Sequence, residues 1–176
     1  YFFKEMYLLF GFFKDNKLKD KDNEKFIISP QTGRITSLRE IPDEVFSEKI
    51  LGDGAAIVPE ENIVVSPVDG EIVQLADAGH VYCIKSDDGL DILIHIGVDT
   101  IGMKGKGFKY FVKVGQKVKA GEPIGEADIN LIEENGYSTY TALLVTNMNS
   151  IKDINYIPCQ AKAGETNIIA YTKFED

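Results

Sequence analysis

Cysteine is scarce in this chain: Cys83 and Cys159 are the only two among 176 residues. They form no metal or redox spacing. Cys83 lies inside an apolar run and reads as a small core residue, and such sparing use suits a reducing compartment. Positive charge is also short. Nineteen Lys and Arg stand against 28 Asp and Glu, giving a net charge of −9. That balance argues against nucleic acid as a main partner, because phosphates are repelled. It suits a basic protein partner drawn in by electrostatic steering; acidity that merely keeps the protein in solution is the plainer alternative. Long apolar runs are missing too. The most apolar segment, YFFKEMYLLFGFF (residues 1–13), is shorter than the roughly 20 residues a bilayer crossing needs. It also lacks the cationic start and small-residue cleavage site of a signal peptide.

Three readings of residues 1–13 stay open. They form an interfacial anchor with aromatics among the headgroups, the end of a preceding membrane domain, or a segment packed on the body of the protein. Residues 14–25, KDNKLKDKDNEK, carry mixed charges without an apolar period and read as a solvated linker. The expected organisation is therefore a terminal segment and linker over 1–25, then one domain over 26–176.

Extended helical periodicity is absent from that domain. Its apolar runs are short and broken by Gly, Pro, Asp and Asn at intervals of roughly 8–12 residues, which predicts an all-β sandwich or barrel. Two short helices fit the pattern. One lies near Asp43–Ile50 with Asp43 as N-cap; the other lies near Asn130–Asn135 and is closed by Gly136. Self-similarity is present as well. ISPQTGRITSL (28–38) and VSPVDGEIVQL (65–75) share apolar-Ser-Pro-x-x-Gly-x-Ile-x-x-Leu, and KAGEPIG (119–125) resembles KAGETNI (162–168). Each reads as a strand meeting a tight turn, with Pro fixing φ and Gly supplying unusual backbone angles. Two pairs, rather than one regular period, point to motifs reused inside a single sandwich and not to a solenoid.

Histidine is as scarce as cysteine, and both copies lie in GHVYCIKSDDGLDILIHIGVDT (79–100). VYCIK and LDILIHI read as strands, with SDDG as the turn between them. If Ser86 pairs with Gly89, His80 lies opposite His95; if Asp87 pairs with Leu90, the two are diagonal neighbours. Either register puts both imidazoles on one face, because side chains alternate with period two. An odd-count loop would separate the faces unless a bulge restored the register. The surroundings, Ile92, Leu93, Ile94, Ile96 and Val98, are apolar. Desolvation and like-charge repulsion then resist double protonation, leaving at least one ring neutral and nucleophilic near neutral pH. Two structural, hydrogen-bonded histidines are the plain alternative.

Other chemistries fit less well. A catalytic zinc usually takes three protein ligands; His80, His95 and Asp99 would have to suffice, and neither HxH nor HExxH occurs. GxSxG is absent. GMKGKGF (102–108) is glycine-rich, but no Ser or Thr follows its lysine as in a P-loop, and it reads as a surface turn. VKVGQKVKAGEPI suggests a biotin- or lipoyl-type swinging arm but lacks a lysine in a symmetric hairpin. What remains is a histidine nucleophile without metal or cofactor.

The motifs IPDEVFSEKILGDG (41–54), VSPVDGEIV (65–73), SDDGLDILIHIGVDT (86–100), GKGF (105–108), GQKVKAGEPI (115–124) and VTNM (145–148) run in order through most of the chain. In these the sequence resembles the glucose-type IIA phosphocarrier domain of the bacterial phosphoenolpyruvate-dependent sugar phosphotransferase system. The resemblance implies an antiparallel β-sandwich of the duplicated hybrid motif type. It implies that His95 is the phosphoacceptor and that His80 stabilises and passes on the phosphoryl group. Asp43 and Asp99 match acidic positions that meet the phosphocarrier protein HPr, and Phe46 and Ile101 match apolar positions of the docking surface. The implied partners are HPr and the IIB domain of a sugar transporter, with regulatory protein targets as a further class; the implied location is the cytoplasm, at the inner face of the membrane. Two positions depart from the family pattern: Ala78 where threonine is frequent, and Ala76 where an aromatic is frequent. The rival function is a regulatory binding module docking on transporters or metabolic enzymes through the same face; a zinc peptidase of related sandwich architecture is a third reading.

Overall fold

A computed structural model describes residues 23–175. The segment 1–13 and most of the linker after it therefore lie outside the described residues. In chain order the elements are β1 (Lys25–Ile28), β2 (Gly33–Thr36), α1 (Glu44–Ser47), β3 (Asp53–Pro59), β4 (Ile63–Val65), β5 (Gly70–Leu75), β6 (Val81–Ser86), β7 (Asp91–Ile96), β8 (Phe108–Tyr110), β9 (Lys117–Val118), β10 (Pro123–Ala127), α2 (Ile129–Glu134), β11 (Thr141–Val145), β12 (Ile151–Tyr156), β13 (Cys159–Ala161) and β14 (Asn167–Lys173). An eight-stranded sheet runs β13-β2-β3-β11-β7-β6-β5-β9, accompanied by the three-stranded sheets β1-β14-β12 and β4-β10-β8. The two helices stand where the sequence places them. The Asp43 side chain caps α1 by accepting from the Val45 N–H at 2.8 Å, and Gly136, just past α2, takes a left-handed φ of 81°.

The two repeats explain the architecture. Ser29 N–H donates to Thr166 O, and Gly164 N–H donates to Ser29 O; Ser66 N–H donates to Glu122 O, and Gly121 N–H donates to Ser66 O. Each Ser-Pro turn is thus bound to one Lys-Ala-Gly turn. Each serine hydroxyl also donates to the carbonyl two residues on, Ser29 to Gln31 and Ser66 to Val68, both at 2.6 Å. The two Lys-Ala-Gly turns meet so closely that a Cβ on Gly164 would sit 3.1 Å from the Gly121 Cα. Glycine is required there because the contact is between backbones.

Period-two alternation sorts the strands. On β7, Ile92, Ile94 and Ile96 are buried while Asp91, Leu93 and His95 face the other way. The buried set joins Tyr82, Ile84, Ile57 and Leu143 in the main core between the sheets, each such side chain worth about 1.5–3 kcal/mol of transfer free energy. β11 is buried on both faces. Its Ala142 and Leu144 belong to a second, smaller cluster with Leu38, Ile41, Phe46, Ala56 and Val98. The register aligns Ala56, Ala142, His95 and Val81 across four adjacent strands. Two alanines beside His95 leave room for α1 to lay Phe46 onto that face.

Candidate active site

His95 is the outward residue near the end of β7, and His80 immediately precedes β6. Their ring centroids lie 5.0 Å apart with planes at 87°. The hairpin register that brings them there differs from both expected ones. Ser86 N–H donates to Leu90 O, Gly89 N–H to Ser86 O, and Val81, not His80, stands opposite His95. The loop is thus the odd-count Asp87-Asp88-Gly89. Strict alternation would turn His80 away from His95, but His80 lies outside the strand. Gly79 before it holds a left-handed φ of 85°, and the backbone turns there. The ring of Phe108 stands 6.3 Å from that of His80 on the other side.

His95 is oriented by its own chain. Its Nδ1 lies 2.9 Å from Gly97 O. A carbonyl only accepts, so Nδ1 carries the proton and Nε2 keeps its lone pair. Gly97 is suited to this corner: its φ is 74°, and a Cβ would fall 2.3 Å from the Thr100 methyl. The Phe46 ring, itself only 5% exposed, covers His95 at 4.9 Å. Burial pushes the His95 pKa down, partly offset by the Gly97 carbonyl and then by Asp43 and Asp99. His80 is 5% exposed; burial, then the charge of His95, lowers its pKa as well. Its Nδ1 is buried with no hydrogen-bond partner, and nearby Ala78 has no side-chain donor or acceptor to offer.

Of the remaining sequence-predicted residues, Asp43 and Asp99 act electrostatically on His95 and Phe46 packs against it. Asp43 is half-buried and occupied in capping α1, Asp99 is exposed with a left-handed φ of 59°, and Ile101 is 66% exposed. Phe46 lies against His95 rather than out in solvent. Three exposed apolar residues escaped the sequence reading: Val45, Ile50 and Leu51 on and just after α1. Their signal was an apolar excess in a segment too short to bury both its faces. Like Ile101, they are exposed apolar side chains of the kind a protein partner covers.

The fold is a mostly antiparallel β-sandwich that brings its two histidines together, with exposed apolar residues on and after α1. Comparison with known proteins specifies the family. Residues 25–151 match the family model of the phosphoenolpyruvate-dependent sugar phosphotransferase system, EIIA 1. The chain is 43% identical over 156 residues to the PTS system glucose-specific EIIA component of Bacillus cereus, covering 88% of this chain and 94% of that one. It is 40% identical over 121 residues to a PTS system N-acetylglucosamine-specific EIICBA component of Klebsiella pneumoniae, covering 69% of this chain but 19% of that one. The solved glucose permease IIA from Mycoplasma capricolum superposes with a TM-score of 0.78 at 32% identity, over 84% of this chain and 95% of that one. The chain belongs to the EIIA 1 family, and it is a phosphocarrier domain of sugar uptake.

Proposed function

We propose that His95 accepts the phosphoryl group from phospho-HPr and that His80 holds it and assists its passage to a IIB domain. The observation that carries this reading is the Nδ1 contact to Gly97 O, which leaves Nε2 as the nucleophile. The Nε2 lone pair attacks phosphorus in line. As the new N–P bond forms, the bond to the donor on HPr breaks and its electron pair leaves with that donor. In the second step a nucleophile on IIB, expected to be a cysteine thiolate, attacks phosphorus and the electron pair of the N–P bond returns to His95. Charge held beside His80 favours its protonated form, which can donate an N–H to a phosphoryl oxygen. The low basicity of the empty site thus suits acceptance, and the loaded site recruits its own proton. Closure of the partner over Val45, Ile50, Leu51 and Ile101 expels water and strengthens these interactions, while Asp43 and Asp99 meet basic groups on HPr. No metal or cofactor enters either step.

The proposed setting is the cytoplasm, with residues 1–13 touching the inner face of the membrane. Among the described residues no helix is long and apolar enough to cross a membrane. The exposed apolar rim also favours a second use, regulatory docking on transporters or metabolic enzymes, which pull-downs with and without phosphorylation would separate. The test of the main reading is incubation with phosphoenolpyruvate, enzyme I and HPr. The protein gains one acid-labile phosphoryl group by intact mass, His95→Gln gains none, and His80→Gln accepts it but transfers it onward slowly. A fully phosphorylated His95→Gln variant overturns the assignment.

A further inference from the structure

We propose that Tyr110 is a positioning residue for His80, and that its hydroxyl sets the geometry of onward phosphoryl transfer by clamping the turn that carries this ring. The proposal rests on the roles given to His95 and His80 above. The turn runs from Ala76 to Val81 and is closed by Ala76 N–H donating to Val81 O at 3.2 Å and Gly79 N–H donating to Ala76 O at 3.0 Å. The Tyr110 hydroxyl lies 2.8 Å from Ala76 O and 2.7 Å from Val81 O. One O–H is thus shared between the two carbonyls that bracket His80.

The clamp comes from a different sheet. β8 pairs with β10, not with β6, so the contact spans the two layers of the sandwich. The inward residues of β8 both serve this turn. The Phe108 ring faces the His80 ring, and a Cβ on Gly79 would fall 2.5 Å from the Phe108 Cβ. The Tyr110 ring is in turn fixed edge-on against Tyr82 at 4.9 Å, and Tyr82 is fully buried. His80 has no side chain of its own bonded to Nδ1, so its orientation depends on its backbone. His95 does not share that dependence, because Gly97 O orients it directly. The His80 carbonyl also accepts from the Ile96 N–H on β7 at 2.9 Å, so the backbones are linked, but the hydroxyl clamp acts on the turn that carries His80 and the Gly97 contact on the ring of His95.

The test is Tyr110→Phe, which keeps the ring and its contact with Tyr82 and removes only the hydroxyl. Tyr171→Phe is the control, since its hydroxyl also bridges elements, donating to Asp88 at 2.8 Å. Acceptance from phospho-HPr should stay within about twofold of the parent, while transfer from the loaded protein to IIB slows about tenfold, the scale of a sub-ångström misplacement. In the unphosphorylated protein, imidazole NMR titration should show the His80 midpoint moving up as the turn hydrates, with His95 as the facing titratable group. That titration decides the Tyr110 assignment whether or not the carrier reading holds. An unchanged His80 titration overturns the proposal, and so does unchanged onward transfer in a protein that is phosphorylated normally. Equal slowing of both steps, matched by Tyr171→Phe, overturns it as well, because that is loss of general stability.

Discussion

Lowering the pH from 7.5 to 5.5 should destabilise this protein through its histidines. Both folded pKa values lie below the ordinary value of 6.5, mainly because of burial. In the window between the folded values and 6.5 the unfolded chain therefore binds more protons than the native one. Stability rises with pH wherever that is so. The histidine contribution is flat above the window, and stability is lost as pH falls below about 6.5 towards the folded values. Each proton of difference is worth about 1.4 kcal/mol per pH unit, so two histidines set a ceiling of about 2.7 kcal/mol per unit. Glu40 and Asp88 also have lowered pKa values, from 4.5 and 3.8. Their stabilisation is present above those values and fades only below them, so the interval from 6.5 to 5.5 belongs to the histidines. Urea titrations at half-unit steps of pH measure the slope, and the His80→Gln/His95→Gln double variant is the reference. The reasoning predicts a positive slope between pH 5.5 and 6.5 in the parent that the double variant lacks. An equal slope in both would refute it.

Two further substitutions test other parts of the structure. Gln31 is fully buried and neither its amide oxygen nor its nitrogen has a partner, whereas Val68 fills the matching place in the second repeat. Gln31→Leu should therefore raise stability by about 1–2 kcal/mol, the scale of an unsatisfied buried polar group; a lower melting temperature would show that the amide is needed. Ile101→Ser should weaken engagement of HPr about tenfold, or about 1.4 kcal/mol, without moving the melting temperature, since the side chain is 66% exposed. Unchanged affinity by titration calorimetry would remove Ile101 from the docking surface.

Much of the fold was legible because it is written in local chemistry. Ser29-Pro30 and Ser66-Pro67, with Gly33 and Gly70 behind them, announce turns, and their repetition announces a doubled architecture. Asp43 and Gly136 mark helix ends by capping preferences that need no tertiary information. The alternation of Ile92, Ile94 and Ile96 with Leu93 and His95 identifies the core face of β7. The hairpin register was not legible. It depends on whether Asp87-Asp88-Gly89 closes as a three-residue loop, and on where the strand gives way to Gly79. The proximity of the histidines was anticipated, but by a route the chain does not take: His80 reaches His95 from a turn, not from a strand position. Tyr110 was invisible in the sequence because its role lies in carbonyls 29 and 34 residues away, across a layer boundary. Phe46 was assigned to the docking surface through the family resemblance, and its contact with the His95 ring could not be read from the sequence. Ala56 and Ala142, which make room for it beside His95, are informative only once the register is known.

The most direct test of the central claim is the site of attachment on the loaded protein. Nitrogen-15 and phosphorus-31 NMR of the protein phosphorylated by phospho-HPr distinguishes both the residue and the ring atom. The hydrogen bond from His95 Nδ1 to Gly97 O predicts a single phosphohistidine, bonded through Nε2 of His95. A phosphoryl group on Nδ1 of His95, or on His80, would contradict the account.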